Sequence, residues 1–304
     1  MYDIVIIGGG PAGLTAGLYA GRAKLKTLIV EQLVAGGQAA TTDLIENYPG
    51  VPEGSTGPDI TERMEEQAKK FGCEFIMAEV TGVDFSGKEK VIKTTNGEFK
   101  AKAVIIASGA THRKLGCPGE TEFTGRGVSY CATCDAAFYE DLPVAVVGGG
   151  DSAISAAIYL TKFASKVYVI HRRDALRATK VVQEKAFANP KIEIVWDSIV
   201  DEVKGSETVE ALRIKNVKTG QFSDLPVNGV FMYVGLEPNT KFLNGHIKLD
   251  AKGYVPVTSN METDVPGVFA AGDVTVKLLR QVVTAVGDGA TAAVAAEKYI
   301  EDNF

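Results

Sequence analysis

Two cysteines separated by two residues, Cys131 and Cys134, carry the sharpest chemical signal in the chain. Thiols at this spacing can close a small ring, and a helix N-terminus would stabilise one of them as a thiolate. Asp135 follows directly and could give or take a proton when a thiolate leaves; an ordinary acid at a helix start is the alternative. The pair therefore predicts dithiol–disulfide chemistry.

Zinc is the competing use of such a pair. A structural zinc site needs four ligands, and the chain has four cysteines and three histidines in all. Cys73 and Cys117 do not form a second pair, so we expect them to be buried as small apolar side chains. The sequence therefore predicts no metal site.

A repeat organises the chain around this pair. Residues 3–31 and 143–171 align without a gap at an offset of 140. Each copy reads as an apolar run, a glycine triplet, a helix of small residues and a second apolar run, which is the β-turn-α-β pattern of a dinucleotide-binding unit. The repeat predicts an α/β protein with two Rossmann-like dinucleotide-binding domains.

The first copy has a complete fingerprint. Gly8 permits a tight turn, Gly10 lets the backbone approach a pyrophosphate, and Gly13 packs helix against strand. Glu31 ends the second strand, where an acid would hold a ribose hydroxyl. A purely structural glycine turn is the alternative. The predicted cofactor contacts are Gly8, Gly10, Pro11, Ala12, Gly13 and Glu31.

The second copy differs at the ribose position. The residue that matches Glu31 (31 + 140 = 171) is His171, and arginines follow it. Guanidinium groups bind a 2′-phosphate that an acid would repel, so we expect NADP(H) here; a solvated basic turn is the alternative. Two sites with opposite ribose preference imply two different cofactors. The predicted contacts are Gly148, Gly150, Asp151, Ser152, Ala153, His171, Arg172, Arg173 and Arg177.

Composition narrows the remaining classes. The net charge of −6 argues against nucleic acid as a partner. The chain has no apolar run of about 18 residues, so no membrane span is predicted. The N-terminus lacks a signal-peptide pattern. With so few cysteines, we expect a cytoplasmic protein.

Other elements are predicted from local patterns. A helix is expected over 58–71 with its capping pattern at Thr61, and an alanine-rich helix over 281–300. Strands are expected within 74–95, over 102–108 and within 190–235.

Together these residues resemble the low-molecular-weight thioredoxin reductases of bacteria, over essentially the whole chain. The cysteine pair ahead of the second glycine loop is the most specific element, since larger disulfide reductases carry theirs near the first loop. Ala136 and Leu176 depart from the usual pattern and touch neither a charge nor a sulfur. The motifs are Gly8–Gly13, Gly36–Gln38, Glu46–Gly50, Cys131–Asp135, Gly148–Ala153, His171–Arg173 with Arg177, Gly272–Asp273, and Arg280–Gln281 leading to Gly287–Gly289.

The resemblance implies a discontinuous FAD domain, 1–112 with 239–304, and an inserted NADPH domain, 113–238, that carries the cysteine pair. Asp273 would bind near the ribityl chain, and Gln281 would start a helix directed at the flavin ring. The further flavin contacts that it implies are Gly36, Gly37, Gln38, Asn47 and Arg280.

The resemblance also implies an activity: hydride passes from NADPH to FAD, electrons pass to the Cys131–Cys134 disulfide, and the dithiol reduces thioredoxin. Cys134 would face the flavin and Cys131 would attack the protein substrate. A homodimer and a hinge near 112–116 and 236–240 are expected with it. The rivals are a same-fold reductase that uses ferredoxin as donor or a small dithiol as substrate, and a non-enzymatic nucleotide sensor, which the cysteine pair disfavours.

Overall fold

The computed structural model describes residues 1–42 and 45–304. The chain forms two compact units, one of Met1–Thr111 with Glu237–Phe304 and one of His112–Leu236. The second unit is therefore inserted into the first. The chain passes between them at 111/112 and 236/237, where the sequence suggested 112/113 and 238/239.

In chain order the strands are β1 (Tyr2–Ile7), β2 (Thr27–Glu31), β3 (Glu74–Met77), β4 (Val80–Asp84), β5 (Lys90–Thr94), β6 (Gly97–Ile106), β7 (Ala110–His112), β8 (Val128–Ser129), β9 (Pro143–Val147), β10 (Lys166–Ile170), β11 (Ile192–Val195), β12 (Ser198–Gly205), β13 (Val209–Asn216), β14 (Phe222–Pro226), β15 (Gly229–Met232), β16 (Leu236–Pro238) and β17 (Val268–Ala270). The α-helices are α1 (Pro11–Arg22), α2 (Gly57–Lys70), α3 (Ala132–Asp135), α4 (Asp151–Leu160), α5 (Lys180–Phe187) and α6 (Val282–Asn303).

The first unit is built on a seven-stranded sheet of order β3-β2-β1-β6-β5-β4, with β17 also paired to β6. The pairs of β1 with β2 and β6 are parallel, whereas β4, β5 and β6 pair antiparallel. The last four residues of β1 are fully buried, as expected of a parallel strand covered on both faces. One face packs against small residues of α1 and α6, including Ala16 and Ala292.

The second unit holds a five-stranded parallel sheet of order β11-β10-β9-β15-β8 and a separate antiparallel sheet of β12, β13 and β14. Its β9-α4-β10 segment repeats β1-α1-β2 with the register preserved. Ile4 pairs with Thr27 in the first copy, and Val144 pairs with Val167 in the second. The predicted fold class, with two Rossmann-like units, is confirmed.

Two helix boundaries differ from the sequence prediction. The capping residue of α2 is Thr56 and not Thr61: its side chain accepts the Asp59 N–H, and Asp59 bonds back to the Thr56 N–H. Pro58 fits the first turn, where no helical N–H is needed, so the helix starts earlier. Thr61 lies inside it and donates to the Gly57 carbonyl. The C-terminal helix α6 runs to Asn303, beyond the predicted 300.

No helix within residues 1–42 and 45–304 is both long and apolar enough to cross a bilayer.

Candidate functional site

In the first glycine loop the fold requires glycine at positions 8 and 13 but not at position 10. Gly8 has φ +106°, and a side chain on Gly13 would collide with the Gly8 carbonyl. Gly10 has φ −75° and ψ −177°, and among the described residues a Cβ there would meet the Gly37 Cα alone, at 4.0 Å. The space beside Gly10, ahead of Pro11 at the start of α1, is therefore open.

Glu31 is tied to this loop by backbone hydrogen bonds. Its Oε2 accepts the Gly9 N–H at 2.6 Å and its Oε1 accepts the Leu33 N–H at 3.0 Å. A cavity of about 270 Å³ opens here, lined among others by Gly8, Glu31 and Asn239. The predicted ribose acid thus lies at the mouth of a cavity at the carboxyl ends of β1 and β2, where open α/β sheets bind ligands.

The Gly36–Gly37 segment folds back onto the same loop. Gly36 donates its N–H to the Gly9 carbonyl at 2.7 Å. Both glycines have positive φ, +110° and +54°, a conformation that other residues rarely adopt. The Gln38 side-chain amide donates to the Ala110 carbonyl. The structure therefore brings the Gly36–Gln38 motif against the first glycine loop.

Asp273 has an unsatisfied oxygen. Its Oδ1 is buried with no hydrogen-bond partner among the described residues. Burial raises the pKa of Asp273, opposed by the charges of Lys277 and Arg280. Because buried polar atoms nearly always find a partner, this carboxylate fits a ligand that presents hydroxyl donors.

Arg280 organises the loop that carries Asp273. Its guanidinium donates to the carbonyls of Asp273 (3.2 Å) and Thr275 (3.0 Å) and lies over the Tyr254 ring at 4.1 Å. These contacts are made within the protein. A direct contact of Arg280 with a cofactor stays a prediction.

Asp288 is a residue whose role the sequence did not indicate. Its Oδ2 accepts the Gly272 N–H at 2.9 Å and pairs with Lys277. It thereby fixes the turn before Asp273. The acid lies in the Gly287–Gly289 motif, but its partner is distant in the chain and no local pattern shows it.

Asn47 and Gln281 meet across 234 residues of sequence, as the Asn47 side-chain amide donates to Gln281 Oε1 at 2.9 Å. Gln281 is the N-cap of α6. Two residues that are predicted to contact the flavin cofactor therefore lie side by side.

The second glycine loop resembles the first in its backbone conformation and in the open space beside its third glycine. Gly148 has φ +152°, and a Cβ on it would lie 2.6 Å from the Tyr233 carbonyl oxygen and 2.8 Å from Ala153 Cβ. Gly150 has φ −96° and ψ −179°, with no atom of the described residues within 4 Å of an added Cβ. As at Gly10, a side chain would meet open space.

His171 fills the slot that Glu31 fills in the first copy. The ring is 4% exposed, lies against Gly149 and has Nε2 3.1 Å from the Ala175 carbonyl oxygen. Burial lowers its pKa, and the arginines nearby lower it further. The imidazole therefore packs against the glycine loop at Gly149.

The three arginines lie outside this slot. Arg172, Arg173 and Arg177 are exposed, and in the described ranges their guanidinium groups have no ion pair. The Arg177 N–H donates to the Gly149 carbonyl at 2.7 Å, which holds this turn beside the loop. Three unpaired cations there fit an anionic group on a ribose.

The first turn of α4 supplies the remaining predicted contacts. Asp151 Oδ1 accepts the Thr179 N–H at 2.8 Å, so this carboxylate braces the arginine turn. Ser152 is exposed, whereas Ala153 is buried in the core where the first copy has Gly13.

The cysteine pair is a disulfide. Cys131 and Cys134 are bonded, with Cα atoms 5.4 Å apart, so the zinc alternative is wrong for this state. Cys131 is the N-cap of α3: its Sγ accepts the Cys134 N–H at 3.3 Å, and its own N–H donates to Ser129 Oγ at 3.0 Å. Cys134 is exposed and Cys131 is half-buried.

Asp135 ends α3 and is half-buried. Burial raises the pKa of Tyr139 and of Tyr233, and the charge of Asp135 raises both further. The carboxylate thus lies near two phenols beside the disulfide.

The other cysteines are not redox partners. Cys73 is buried, as predicted, and burial raises its pKa to about 12. Cys117 is only half-buried, and burial with the nearby acid Glu120 raises its pKa to about 11.

Two Rossmann-like units with open glycine loops, one carrying a disulfide in a short helical turn, define a nucleotide-linked disulfide oxidoreductase. Residues 2–289 match the family described as pyridine nucleotide-disulphide oxidoreductase. The chain belongs to this family and, within it, to the thioredoxin reductases.

Three relatives illustrate the range of similarity. A thioredoxin reductase from Peptoclostridium acidaminophilum is 54% identical over 100% of this chain and 98% of its own length. The crystal structure of Lactococcus lactis thioredoxin reductase is 46% identical, with a TM-score of 0.97 over 99% of this chain and 100% of that chain. A ferredoxin–flavin thioredoxin reductase from Clostridium acetobutylicum is 32% identical, with a TM-score of 0.53 over 99% and 97%.

Proposed function

We propose that this chain is an NADPH-dependent thioredoxin-disulfide reductase that carries FAD. The observation that supports it most is the Cys131–Cys134 disulfide, which lies in the same unit as a glycine loop flanked by exposed arginines.

FAD is proposed for the first unit. The open space at Gly10 would take the pyrophosphate, Glu31 a ribose hydroxyl, and the unpartnered Asp273 oxygen a hydroxyl of the ribityl chain. The N-terminus of α6, capped by Gln281, would place positive potential near the ring. When bound, the flavin supplies two-electron transfer between the nicotinamide and the disulfide.

NADPH is proposed for the second loop. Gly150 leaves room for a pyrophosphate. The guanidinium groups of Arg172, Arg173 and Arg177 would hold the 2′-phosphate, because charge-assisted bidentate contacts suit this group.

Thioredoxin reduction would proceed by exchange at sulfur. The Cys131 thiolate attacks one sulfur of the substrate disulfide, forms a mixed disulfide and releases the other sulfur as a thiolate. The Cys134 thiolate then attacks Cys131 Sγ, which restores the ring and frees the reduced substrate. The N-cap position of Cys131 favours its thiolate, and Asp135 would hold a proton that this exchange releases or takes up.

The test is an anaerobic titration of the purified protein. We expect a flavin absorbance spectrum that NADPH bleaches, and recovery of the spectrum as oxidised thioredoxin is added, with two thiols appearing on thioredoxin per NADPH consumed. A colourless protein, or a flavin that NADPH leaves oxidised, would contradict the proposal.

A ferredoxin-linked reductase is the second candidate, and the similarity to the Clostridium acetobutylicum enzyme is its support. The arginine turn favours NADPH instead. Turnover of thioredoxin with reduced ferredoxin and none with NADPH would decide for the second candidate.

The proposal extends to a homodimer located in the cytoplasm, on family likeness. Sedimentation equilibrium of the flavin-loaded protein checks the first part, and cell fractionation checks the second.

A further inference from the structure

Tyr233 lies beside both features of the second unit, the glycine loop and the disulfide turn. It directly follows β15, and its N–H donates to the Val147 carbonyl at 2.8 Å. Its own carbonyl lies against Gly148, where even one added carbon would come within 2.6 Å. The end of β9 and the glycine loop therefore fix the tyrosine backbone.

The side chain of Tyr233 reaches the redox turn. Its hydroxyl oxygen accepts the N–H of Ala132, the first residue of α3, at 3.1 Å. The first N–H groups of a helix have no partner inside the helix, and Ala132 is only 3% exposed. At this turn, Tyr233 holds the first N–H and Cys131 Sγ accepts the third, from Cys134.

We propose that Tyr233 is a positioning residue for Cys131. Through Ala132, its hydroxyl keeps Cys131 in the N-cap geometry in which the sulfur accepts the Cys134 N–H, and a thiolate is stabilised in that geometry after reduction. The phenol acts on the sulfur only through the backbone. The inference rests on the proposed dithiol role of the pair and adds a residue to it.

His112 and Asp135 act on this phenol. His112 lies edge-on to the Tyr233 ring, with centroids 5.7 Å apart, and burial lowers its pKa. Burial and the charge of Asp135 raise the pKa of Tyr233. At a pH above the usual pKa range of histidine, His112 therefore stays neutral and Tyr233 stays protonated while the Cys131 thiol titrates.

The test measures the thiol pKa of Cys131 directly. In full-length, flavin-loaded protein with Cys134→Ser, the rate of iodoacetamide alkylation is followed against pH by peptide mass spectrometry, which separates Cys131 from the slow, high-pKa Cys73 and Cys117. We expect Tyr233→Phe to raise the Cys131 pKa by about half a unit to one unit, the equivalent of one neutral hydrogen bond.

Tyr139→Phe is the matched control. Tyr139 also has a raised pKa through burial and Asp135, and it packs edge-on against Phe231 at 5.4 Å. Its hydroxyl has no hydrogen bond to any residue in the described ranges. Its removal should therefore leave the Cys131 pKa unchanged.

A second measurement reports the hydrogen bond itself. Hydrogen exchange of the Ala132 amide, followed with isotope-labelled alanine, should be faster in Tyr233→Phe and unchanged in Tyr139→Phe. Equal Cys131 pKa values in all three proteins, equal shifts in both phenylalanine variants, or unchanged Ala132 exchange would each overturn the inference. Since no step uses NADPH or thioredoxin, these outcomes are independent of whether the proposed reductase activity is found.

Discussion

Gly10→Val separates ligand binding from folding. The backbone at Gly10, φ −75° and ψ −177°, suits a branched residue, and the nearest atom to its Cβ in the described part of the chain would be Gly37 Cα at 4.0 Å. Replacing a glycine whose conformation suits a side chain is neutral or stabilises by about 0.4–1 kcal/mol, because the unfolded chain loses freedom. We therefore expect the flavin-free variant to melt within a few degrees of the flavin-free wild type.

Flavin binding should respond in the opposite direction. Valine places three carbons in the space assigned to the pyrophosphate, and overpacking of this kind costs about 1–3 kcal/mol. At 1.4 kcal/mol per tenfold, FAD affinity should fall by about 5- to 150-fold. The assay is the flavin-to-protein ratio after purification, followed by titration of the flavin-free protein with FAD.

Gly150→Val is the matched control. It makes the same substitution at the equivalent position of the second copy, where no atom of residues 1–42 or 45–304 lies within 4 Å of an added Cβ. It should keep flavin and weaken NADPH binding, whereas Gly10→Val should weaken flavin and keep NADPH. An unchanged FAD affinity in Gly10→Val, or loss of folding in either variant, would refute the assignment of these spaces to ligands.

Three further outcomes are expected. Cys131→Ser and Cys134→Ser should each bind FAD and accept hydride from NADPH but reduce no thioredoxin, because one thiol cannot complete the exchange; a mixed disulfide should be trapped through Cys131 when Cys134 is absent, and turnover by either variant would contradict this. Arg172→Ala with Arg173→Ala should raise KM for NADPH far more than for NADH, at about 1.5–3 kcal/mol per contact; a wild-type preference for NADH would argue against it. Burial raises the pKa of Asp273, so the folded flavin-free protein holds this proton more tightly than the unfolded chain, and stability should fall as pH rises above about 4, the ordinary pKa of an aspartate. Asp273→Asn should lose that part of the pH dependence in thermal melts, and identical dependence in both proteins would show that the buried charge costs nothing.

The repeat could be predicted from sequence because it is local. Glycines at fixed spacing and apolar runs at fixed offset specify the turn, the helix and the parallel register in each copy. The structure shows the same register in both, since Ile4 and Val144 make equivalent strand pairs. The cysteine spacing likewise indicated a redox pair before the disulfide was seen.

What sequence could not show depends on partners distant in the chain. Tyr233 meets Ala132 across 101 residues, and Asp288 meets Gly272 across 16, so neither contact has a local motif. The Thr61 prediction failed because Thr56 and Pro58 together offer a better start to the same helix.

The slot beneath the middle glycine of each triplet, Gly9 or Gly149, shows where the two copies of the repeat differ. One copy fills it with the carboxylate of Glu31, the other with the imidazole of His171, and both end against the same glycine position with the strand register preserved. The arginines that follow His171 are exposed, so acquiring them disturbs no core. At the two ribose positions the copies therefore differ by one interior side chain and by the exposed arginines that follow it. The nucleotide that each copy would bind is thus set by side chains at the carboxyl end of its second strand, while the strand register that supports them is the same in both copies.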